Sequence, residues 1–431
     1  MQYPQTFRRR SAEEAIKDAG LVLDYAEIAK RGRMSKEESL ISKWYGIYQS
    51  RGAGDHMMRV VRPGGVSTTA EVRAIADLAD RYARGLVSLT TRQCYQFHRL
   101  QVEQLAGLLH DVQAAGLSSF HGCGDVTRNV VACPWAAGCP HRRLDVRPDA
   151  AEAARVLTAR RDLDNLPRKY KLSFSGCGAG CGQPRINCAS AVAVQRRAQD
   201  GGAVLGYRVV IGGGMGWKAF LAETLYGFVP RQHIVAVMAA VGEMYRESGD
   251  RWNRATSRLK FVVHRLGLVR CRELVDAILE REGVARDGFV VDEVADVGAP
   301  WPERPLAVPE PRDTSGRAIQ GVMVPKGELT SASLRAVADL ADRFGDGRVI
   351  TTNRQNLELH GVDPVYVPAL RRAIEALGLG ATGFGGLLDV VPCVGTTYCP
   401  MAVTHTHTLN DRLLPLFSEP RYEPIGRAAL V

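Results

Sequence analysis

The chain has 431 residues, 45% hydrophobic and 24% charged, with a formal net charge of +10. That is enough for two to four domains with sizeable cores, and it excludes a disordered or low-complexity protein. No stretch nears the apolar length that spans a bilayer, residues 1–33 hold no signal-peptide run, and the arginines are scattered rather than gathered into a basic helix, which argues against membrane and nucleic acid as partners.

Residues 1–41 predict a charged helical arm, with Ser11 and Glu14 spaced as a capping box. Ser42 to Arg51 is aromatic and is expected to pack on a core. Arg59 to Pro63 predicts a strand that Gly64-Gly65 ends. Thr69 to Arg84 predicts a helix, with Val72, Ile75, Ala76, Leu78 and Ala79 on one face. Val87 to Leu100 predicts a strand and Val102 to Ala115 a helix. Strand and helix alternate, so the fold class is α/β (α+β). Further on, Tyr207 to Ile211 predicts a strand entering Gly212-Gly213-Gly214-Met215-Gly216. A dinucleotide loop fails there, because its third glycine position falls on Trp217. Gln232 to Tyr245 and Glu273 to Arg281 predict helices.

The run Val72-Arg-Ala-Ile-Ala-Asp-Leu-Ala-Asp-Arg81 recurs as Leu334-Arg-Ala-Val-Ala-Asp-Leu-Ala-Asp-Arg343. The offset of 262 residues also takes Arg92-Gln93 to Arg354-Gln355 and His98 to His360. A match at this long period means a duplicated domain, whose copies would pack about a pseudo-twofold axis. Pro300, Pro302, Pro305, Pro309 and Pro311 stiffen the segment between the copies.

Ten cysteines in a chain expected to be cytoplasmic point to metal ligation rather than disulfides. Cys133-Pro-Trp-Ala-Ala-Gly-Cys139 is followed by Cys177-Gly-Ala-Gly-Cys181, with Gly176, Gly178, Gly180 and Gly182 around the second pair. Thiolates suit iron–sulfur clusters and zinc. The wide spacings favour a cubane, and zinc or unrelated buried thiols remain the other readings.

The flanks narrow the choice. Thr90-Thr91-Arg92-Gln93 closes on Phe97-His98. Gly124-Asp125-Val126-Thr127-Arg128-Asn129-Val130 precedes Cys133, and Leu166-Pro167-Arg168-Lys169-Tyr170-Lys171 lies between the pairs. In these blocks, over roughly residues 45 to 400, and again at Arg258-Leu-Lys-Phe261, the chain resembles the sulfite and nitrite reductases that carry sirohaem and a [4Fe–4S] cluster. The resemblance implies an arm at 1–58 and ferredoxin-like half-domains at 59–120 and 313–380. It also implies a sirohaem/4Fe-4S domain at 121–299, a linker at 300–312 and an incomplete second 4Fe-4S domain at 381–431.

The implied activity is six-electron reduction of sulfite to sulfide or of nitrite to ammonia. The implied donor is ferredoxin or a flavoprotein, and a second subunit is a further expected partner. Carried over by motif, Cys133, Cys139, Cys177 and Cys181 hold the cluster, and Cys181 bridges it to the haem iron. Gly178 and Gly182 lie against the cofactor. Arg92, Arg128, Lys169 and Lys171 match the residues that hold the anion. A single Arg or Lys is ordinarily a solvated surface charge; four at motif positions are not. Lys171 leans the reading to sulfite, because nitrite-reducing relatives often have asparagine there. Cys123 matches a cysteine that some relatives join to a tyrosine, here Tyr48; a buried thiol is the plainer reading, as for Cys94, Cys188 and Cys271.

The chain departs from the family pattern in its second half. Cys393 and Cys399 repeat the first cysteine pair, no second close pair follows, and Leu388 stands at the counterpart of Arg128. The first half, with four thiolates, is therefore expected to hold the cluster and Cys399 to be a buried thiol; the other arrangement puts the cluster on the second half, with its remaining ligands from a separate subunit. Two alternatives stay open: a precorrin-3B synthase-like oxidoreductase, and a cofactor-bearing subunit without activity of its own.

Overall fold

The computed structural model describes residues 12–52, 54–198, 201–216, 218–298, 311–422 and 424. Ser11, Trp217 and the prolines from Pro300 to Pro309 lie outside them. The chain divides into two bodies, each described by itself. The first holds the described residues up to Val22, Cys123–Ala137, and the chain from His141 to the linker. The second holds Leu23–Gly122, Gly138–Pro140, and the chain after the linker.

In chain order, helices α1 (Ala12–Ala19), α2 (Tyr25–Arg31) and α3 (Lys36–Ile41) lead into strands β1 (Ile47–Gln49), β2 (His56–Val60) and β3 (Val66–Thr68). Helix α4 (Thr69–Tyr82), strands β4 (Leu86–Leu89) and β5 (Tyr95–Leu100) and helix α5 (Leu105–Ala114) follow. The middle of the chain gives β6 (Val131–Ala132), α6 (Arg147–Ala159), β7 (Leu172–Ser175), β8 (Ala189–Arg197), β9 (Ala203–Ile211), β10 (Glu223–Pro230), α7 (Ile234–Ser248) and α8 (Leu259–Arg281). The last part gives β11 (Ala318–Val322), β12 (Glu328–Thr330), α9 (Ser331–Phe344), β13 (Arg348–Thr351), β14 (Leu357–Val362), α10 (Val367–Ala376), α11 (Gly395–Tyr398) and α12 (Thr406–Phe417). Among the described residues no helix is long and apolar enough to cross a membrane.

The expected strand from Val87 to Leu100 is two strands. The Thr90 amide donates to the Cys94 carbonyl at 3.0 Å, and Gln93 takes a left-handed φ of 56°, so the chain reverses and lifts Arg92 onto a hairpin turn. The strand expected at Arg59–Pro63 starts earlier and ends at Val60, and the last helix of the first body begins at Leu259 rather than Glu273.

The duplication is built into the second body's sheets. One runs β1-β2-β5-β4-β12 and the other β11-β14-β13-β3. Each copy therefore gives its short strand to the other copy's sheet. Leu329 pairs with Val87, and Ser67 pairs with Val349, the same contact displaced by the repeat. The exchange is sealed by two glutamines: Gln93 Nε2 donates to the Thr351 carbonyl at 2.9 Å, and Gln355 Nε2 donates to the Leu89 carbonyl at 3.0 Å. Gly65 permits the close approach, with φ at 75° and only 2.2 Å between an added Cβ and the Thr351 oxygen.

Helices α4 and α9 mirror one another too. Thr68 caps α4 through a box with Glu71, and Thr330 caps α9. Arg73 reaches Asp339 and Asp342 while Arg335 reaches Asp77 and Asp80. All five residues assigned to the apolar face of α4 are buried. These pairings give the duplicated half-domains their pseudo-twofold arrangement.

The first body is one mixed sheet, β10-β9-β8-β7-β6, with β6, β7 and β8 parallel and the others antiparallel. Its core packs Tyr170, Phe174, Tyr207 and Tyr245 against apolar side chains of α6, α7 and α8. Beyond β9, Gly214 and Phe220 form an isolated antiparallel bridge. An added Cβ at Gly213 would lie 2.4 Å from the Arg185 carbonyl oxygen, so the chain packs closely against backbone at this point.

Candidate functional site

The first body places its motif residues at the ends of the parallel strands. At the N-terminal ends, Thr127 and Tyr170 form a parallel bridge, and the Arg128 amide donates to the Tyr170 carbonyl at 2.8 Å. The Cys188 amide donates to the Lys171 carbonyl at 3.0 Å. Tyr170 is buried, and its hydroxyl donates to the Met238 carbonyl of α7 at 2.9 Å. Side chains alternate along extended chain, so half-buried Lys169 and Lys171 both face away from that helix. Arg128 is half-buried and its guanidinium reaches the Gly124 carbonyl.

Asp125 anchors this end. Its carboxylate, on a residue only 7% exposed, takes Lys17 of α1 at 3.2 Å, Arg168 at 3.2 Å and Arg254 at 3.0 Å. Burial alone would raise the carboxyl; Lys17, Arg254 and Arg168 outweigh it and hold it below the usual carboxylate range. One carboxylate thus ties the segments carrying Arg128, Lys169 and Lys171 to α1.

Cys188 is more than the plain buried thiol the sequence suggested. It is fully buried, yet its sulfur lies 3.3 Å from the Arg258 guanidinium and 3.7 Å from the Lys169 carbonyl. Burial would raise this thiol, but Arg258 and the Lys171 segment bring it below its ordinary value. Lys260 stands nearby, its ammonium donating to the Gly214 carbonyl at 3.3 Å; burial and Arg258 lower its pKa. Arg258 and Lys260 therefore join the cationic end of the sheet. The signal for them was Arg258-Leu-Lys-Phe261, which by sequence carried only family likeness.

The cysteines sit at the other end. The Cys133 amide, just past β6, donates to the Phe174 carbonyl of β7 at 2.9 Å, and Cys177 follows β7 directly after Gly176. The Gly182 amide returns to Ser175 Oγ at 3.2 Å, which brings Cys181 back to the same edge. Gly182 is required there, since an added Cβ would lie 2.6 Å from the Phe174 carbonyl oxygen. Arg142 Nη1 donates to the Ala136 carbonyl, and the Arg143 amide to the Gly176 carbonyl at 2.7 Å, so the two cysteine loops are clamped together.

Cys139 goes with the second body, in Gly138–Pro140, where the Gly138 carbonyl accepts the Thr314 amide at 2.8 Å. In kind the cysteine donors fit an iron–sulfur cluster, and backbone registers gather three of them at one sheet end. The thiols are not drawn together around a common point: among the described residues no group of three or more His, Cys, Asp or Glu side chains is disposed to hold a metal ion.

The cations and the cysteines of the first body are thus not one cluster. Strand β7 separates Lys171 from Gly176, and at the usual rise per residue its span is about 13 Å. Arg92 belongs to the second body, on its β4–β5 turn. Tyr48 is also there, 44% exposed with the Lys43 ammonium over its ring, while Cys123 is buried in the first body. Cys94 and Cys271 are buried, and burial pushes the Cys271 thiol up to about 11. Cys399 is not the buried thiol expected: it is half-buried and Cys393 is exposed, because the turn of α11 packs on the body through Tyr398, stacked on His98 at 3.7 Å, rather than through its thiols.

Comparison with known proteins places these features. A family described as the nitrite and sulphite reductase 4Fe-4S domain matches residues 123–282. The nitrite/sulfite reductase ferredoxin-like half domain matches twice, at 48–115 and 310–377. An assimilatory ferredoxin-dependent nitrite reductase of Haloferax mediterranei is 30% identical over 86% of this chain and 66% of its own length. A ferredoxin sulfite reductase of Mycobacterium tuberculosis is 28% identical over 94% of this chain and 75% of its own. The solved structure of the Mycobacterium tuberculosis NirA protein superposes with a TM-score of 0.85 at 27% identity, covering 98% of this chain and 79% of that one. The chain thus spans about two thirds to four fifths of the length of these relatives.

Proposed function

We propose, from the premise that this chain belongs to the nitrite and sulfite reductase family, that it takes part in the six-electron reduction of sulfite to sulfide, or of nitrite to ammonia, with sirohaem and a [4Fe–4S] cluster as its cofactors. The observation that supports the reading is that the backbone segments carrying Cys133, Cys177 and Cys181 lie at one end of the sheet formed within residues 123–282. Cys139 would be the fourth thiolate of the proposed set, Cys181 would serve both the cluster and the haem, and Gly178 and Gly182 would lie against the cofactor. When bound, these groups would supply electrons one at a time for the reduction of the oxyanion.

The chain's own residues do the rest. Arg128 offers a forked, permanently charged donor for the anion's oxygens. Lys169 and Lys171 stand beside it as ammonium groups that can give up protons as oxygen leaves as water. Arg258 adds fixed positive charge and holds Cys188 beneath the Lys171 segment. Arg92 is assigned to the same anion. Lys171 favours sulfite as substrate. The proposed electron donor is external, ferredoxin or a flavoprotein, and the proposed compartment is the reducing cytoplasm, where ten cysteines serve as ligands and thiols rather than disulfides.

A second reading, a cofactor-bearing subunit that does not turn over alone, is favoured by the separation of the cationic end from the cysteine end. One experiment covers both: anaerobic purification from a sirohaem-competent host, then turnover of sulfite and nitrite with reduced methyl viologen. A coloured protein with turnover supports the reductase. A coloured protein without turnover supports the subunit reading. Stoichiometric zinc with no haem ends both.

A further inference from the structure

The duplicated turn that carries Arg92 in the first copy carries Arg354 in the second, and the backbone of both turns is built alike. The Thr352 amide donates to the Asn356 carbonyl at 2.8 Å, as Thr90 does to Cys94 at 3.0 Å, and Gln355 repeats the left-handed φ of Gln93 at 61°. The second copy differs in what faces the arginine. Arg354 Nε donates to Asp389 Oδ2 at 2.5 Å, Asn356 Nδ2 donates to Oδ1 at 2.8 Å, and the Gly385 amide donates to Oδ2 at 2.8 Å. Arg354 Nη2 also takes the Asp389 carbonyl at 2.7 Å.

The Asp389 side chain is 2% exposed and that of Arg354 is 34% exposed, so the carboxylate lies at the floor and the guanidinium reaches solvent. Gly385, at φ 70°, turns its amide into the floor in a conformation that favours glycine. A guanidinium, a side-chain amide and a backbone N–H converging on two oxygens of one anion form a seat for a planar two-oxygen oxyanion. In the register of the two cysteine pairs, the first copy has uncharged Asn129 at the place of Asp389, and in the register of the repeat it has Cys94 at the place of Asn356.

We propose that the second copy holds an oxyanion seat of its own, formed by Arg354, Asn356 and the Gly385 amide, and that Asp389 fills it from within. The seat's ligand class is the small planar monoanion, of which formate and nitrite are members. Asp389 keeps such anions out of the second copy, so that anion binding by the duplicated turns is confined to the first.

The test removes the internal carboxylate and offers an external one. Full-length Asp389→Ala should melt about 2–8 °C below the parent in chloride buffer, and 50 mM formate or nitrite at matched ionic strength should restore at least half of that loss with a saturable dose response. The parent should respond to formate no further than to the chloride control, because its second seat is filled; any parent response to nitrite, which the first copy is proposed to bind, is the baseline that the variant must exceed. Arg354→Ala combined with Asp389→Ala should lose the response. Should Asp389→Ala fail to fold, Asp389→Asn keeps the volume but leaves Arg354 without its counter-charge, and it should still show an anion-dependent shift larger than the parent's. Equal shifts in parent and variants, or a response that survives loss of Arg354, would overturn the proposal. The readout needs no turnover, so it succeeds or fails independently of the reductase reading.

Discussion

The Arg128 amide donates to the Tyr170 carbonyl at 2.8 Å, and that bond extends the parallel register of β6 and β7 past the N-terminal ends of both strands. It sets Arg128 level with the segment carrying Lys169 and Lys171. The same register puts Cys133 beside Phe174 at the opposite end. Every expectation about the chemistry depends on this polarity of the sheet.

Arg128→Ala should weaken sulfite turnover with reduced methyl viologen while leaving the cofactor spectrum intact. A hydrogen bond to a charged group is worth about 1.5–3 kcal/mol, which is roughly a 10- to 150-fold loss in kcat/KM. Steady-state kinetics and an optical spectrum of one preparation check it. Unchanged kinetics would remove Arg128 from the anion's contacts.

Asp125→Asn should loosen the cationic end and flatten the acid limb of stability. The carboxyl is held below its usual range in the folded chain, so its contribution is present above the unfolded carboxyl pKa of about 4. That contribution is lost as pH falls through the folded value. Removing one partner of a buried ion pair costs about 3–5 kcal/mol. The low end applies here, because Arg168 and Arg254 are 35% and 55% exposed. Denaturant titrations between pH 3 and pH 7 should show the gap between parent and variant narrowing toward acid; parallel curves would contradict the assignment.

Arg258→Gln should raise the Cys188 thiol. Burial already works against the thiolate, and Arg258 is the leading group that opposes burial, so its loss leaves desolvation in command. Thiolate absorbance against pH, compared with a Cys188→Ser background, reads the change. A midpoint that stays put would mean that the 3.3 Å contact carries no charge.

Gly65→Ala and Gly54→Ala separate the strand exchange from plain backbone strain. Both glycines have φ near 75°, but Gly54 has open space around it while Gly65 meets the Thr351 oxygen. A left-handed non-glycine residue costs about 1–2 kcal/mol, so Gly54→Ala should lose that much and Gly65→Ala clearly more. Equal losses would show that the exchanged strands yield easily.

The duplication was legible because a ten-residue helix run recurs at a fixed offset with eight identities, and the apolar face of α4 was legible from its helical period. The exchange of β3 and β12 was not, since a strand's pattern says which face is buried but not which strand it pairs with. The hairpin at Thr90–Cys94 was hidden because Cys94, Tyr95 and Phe97 continue the apolar run past the turn. The cysteine and cation motifs gave only spacing along the chain. Their placement at opposite ends of β7 follows from strand direction, and direction is fixed by the parallel pairing of Ser173 with Val131 and Ser190. The partner of Cys188 was missed because Arg258 lies 70 residues away.

The central claim is that the iron–sulfur group is held by Cys133, Cys139, Cys177 and Cys181. The direct test is iron and acid-labile sulfide per chain, with the optical spectrum, for Cys181→Ser and Cys399→Ser purified anaerobically from a sirohaem-competent host. Serine is a poor ligand for soft metals, so it should not replace a ligating cysteine. Cys181→Ser should lose the cluster iron, the sulfide and the haem bands together, whereas Cys399→Ser should keep all three. If Cys399→Ser is bleached while Cys181→Ser keeps its colour and its iron, the cluster belongs to the second half and the assignment is wrong.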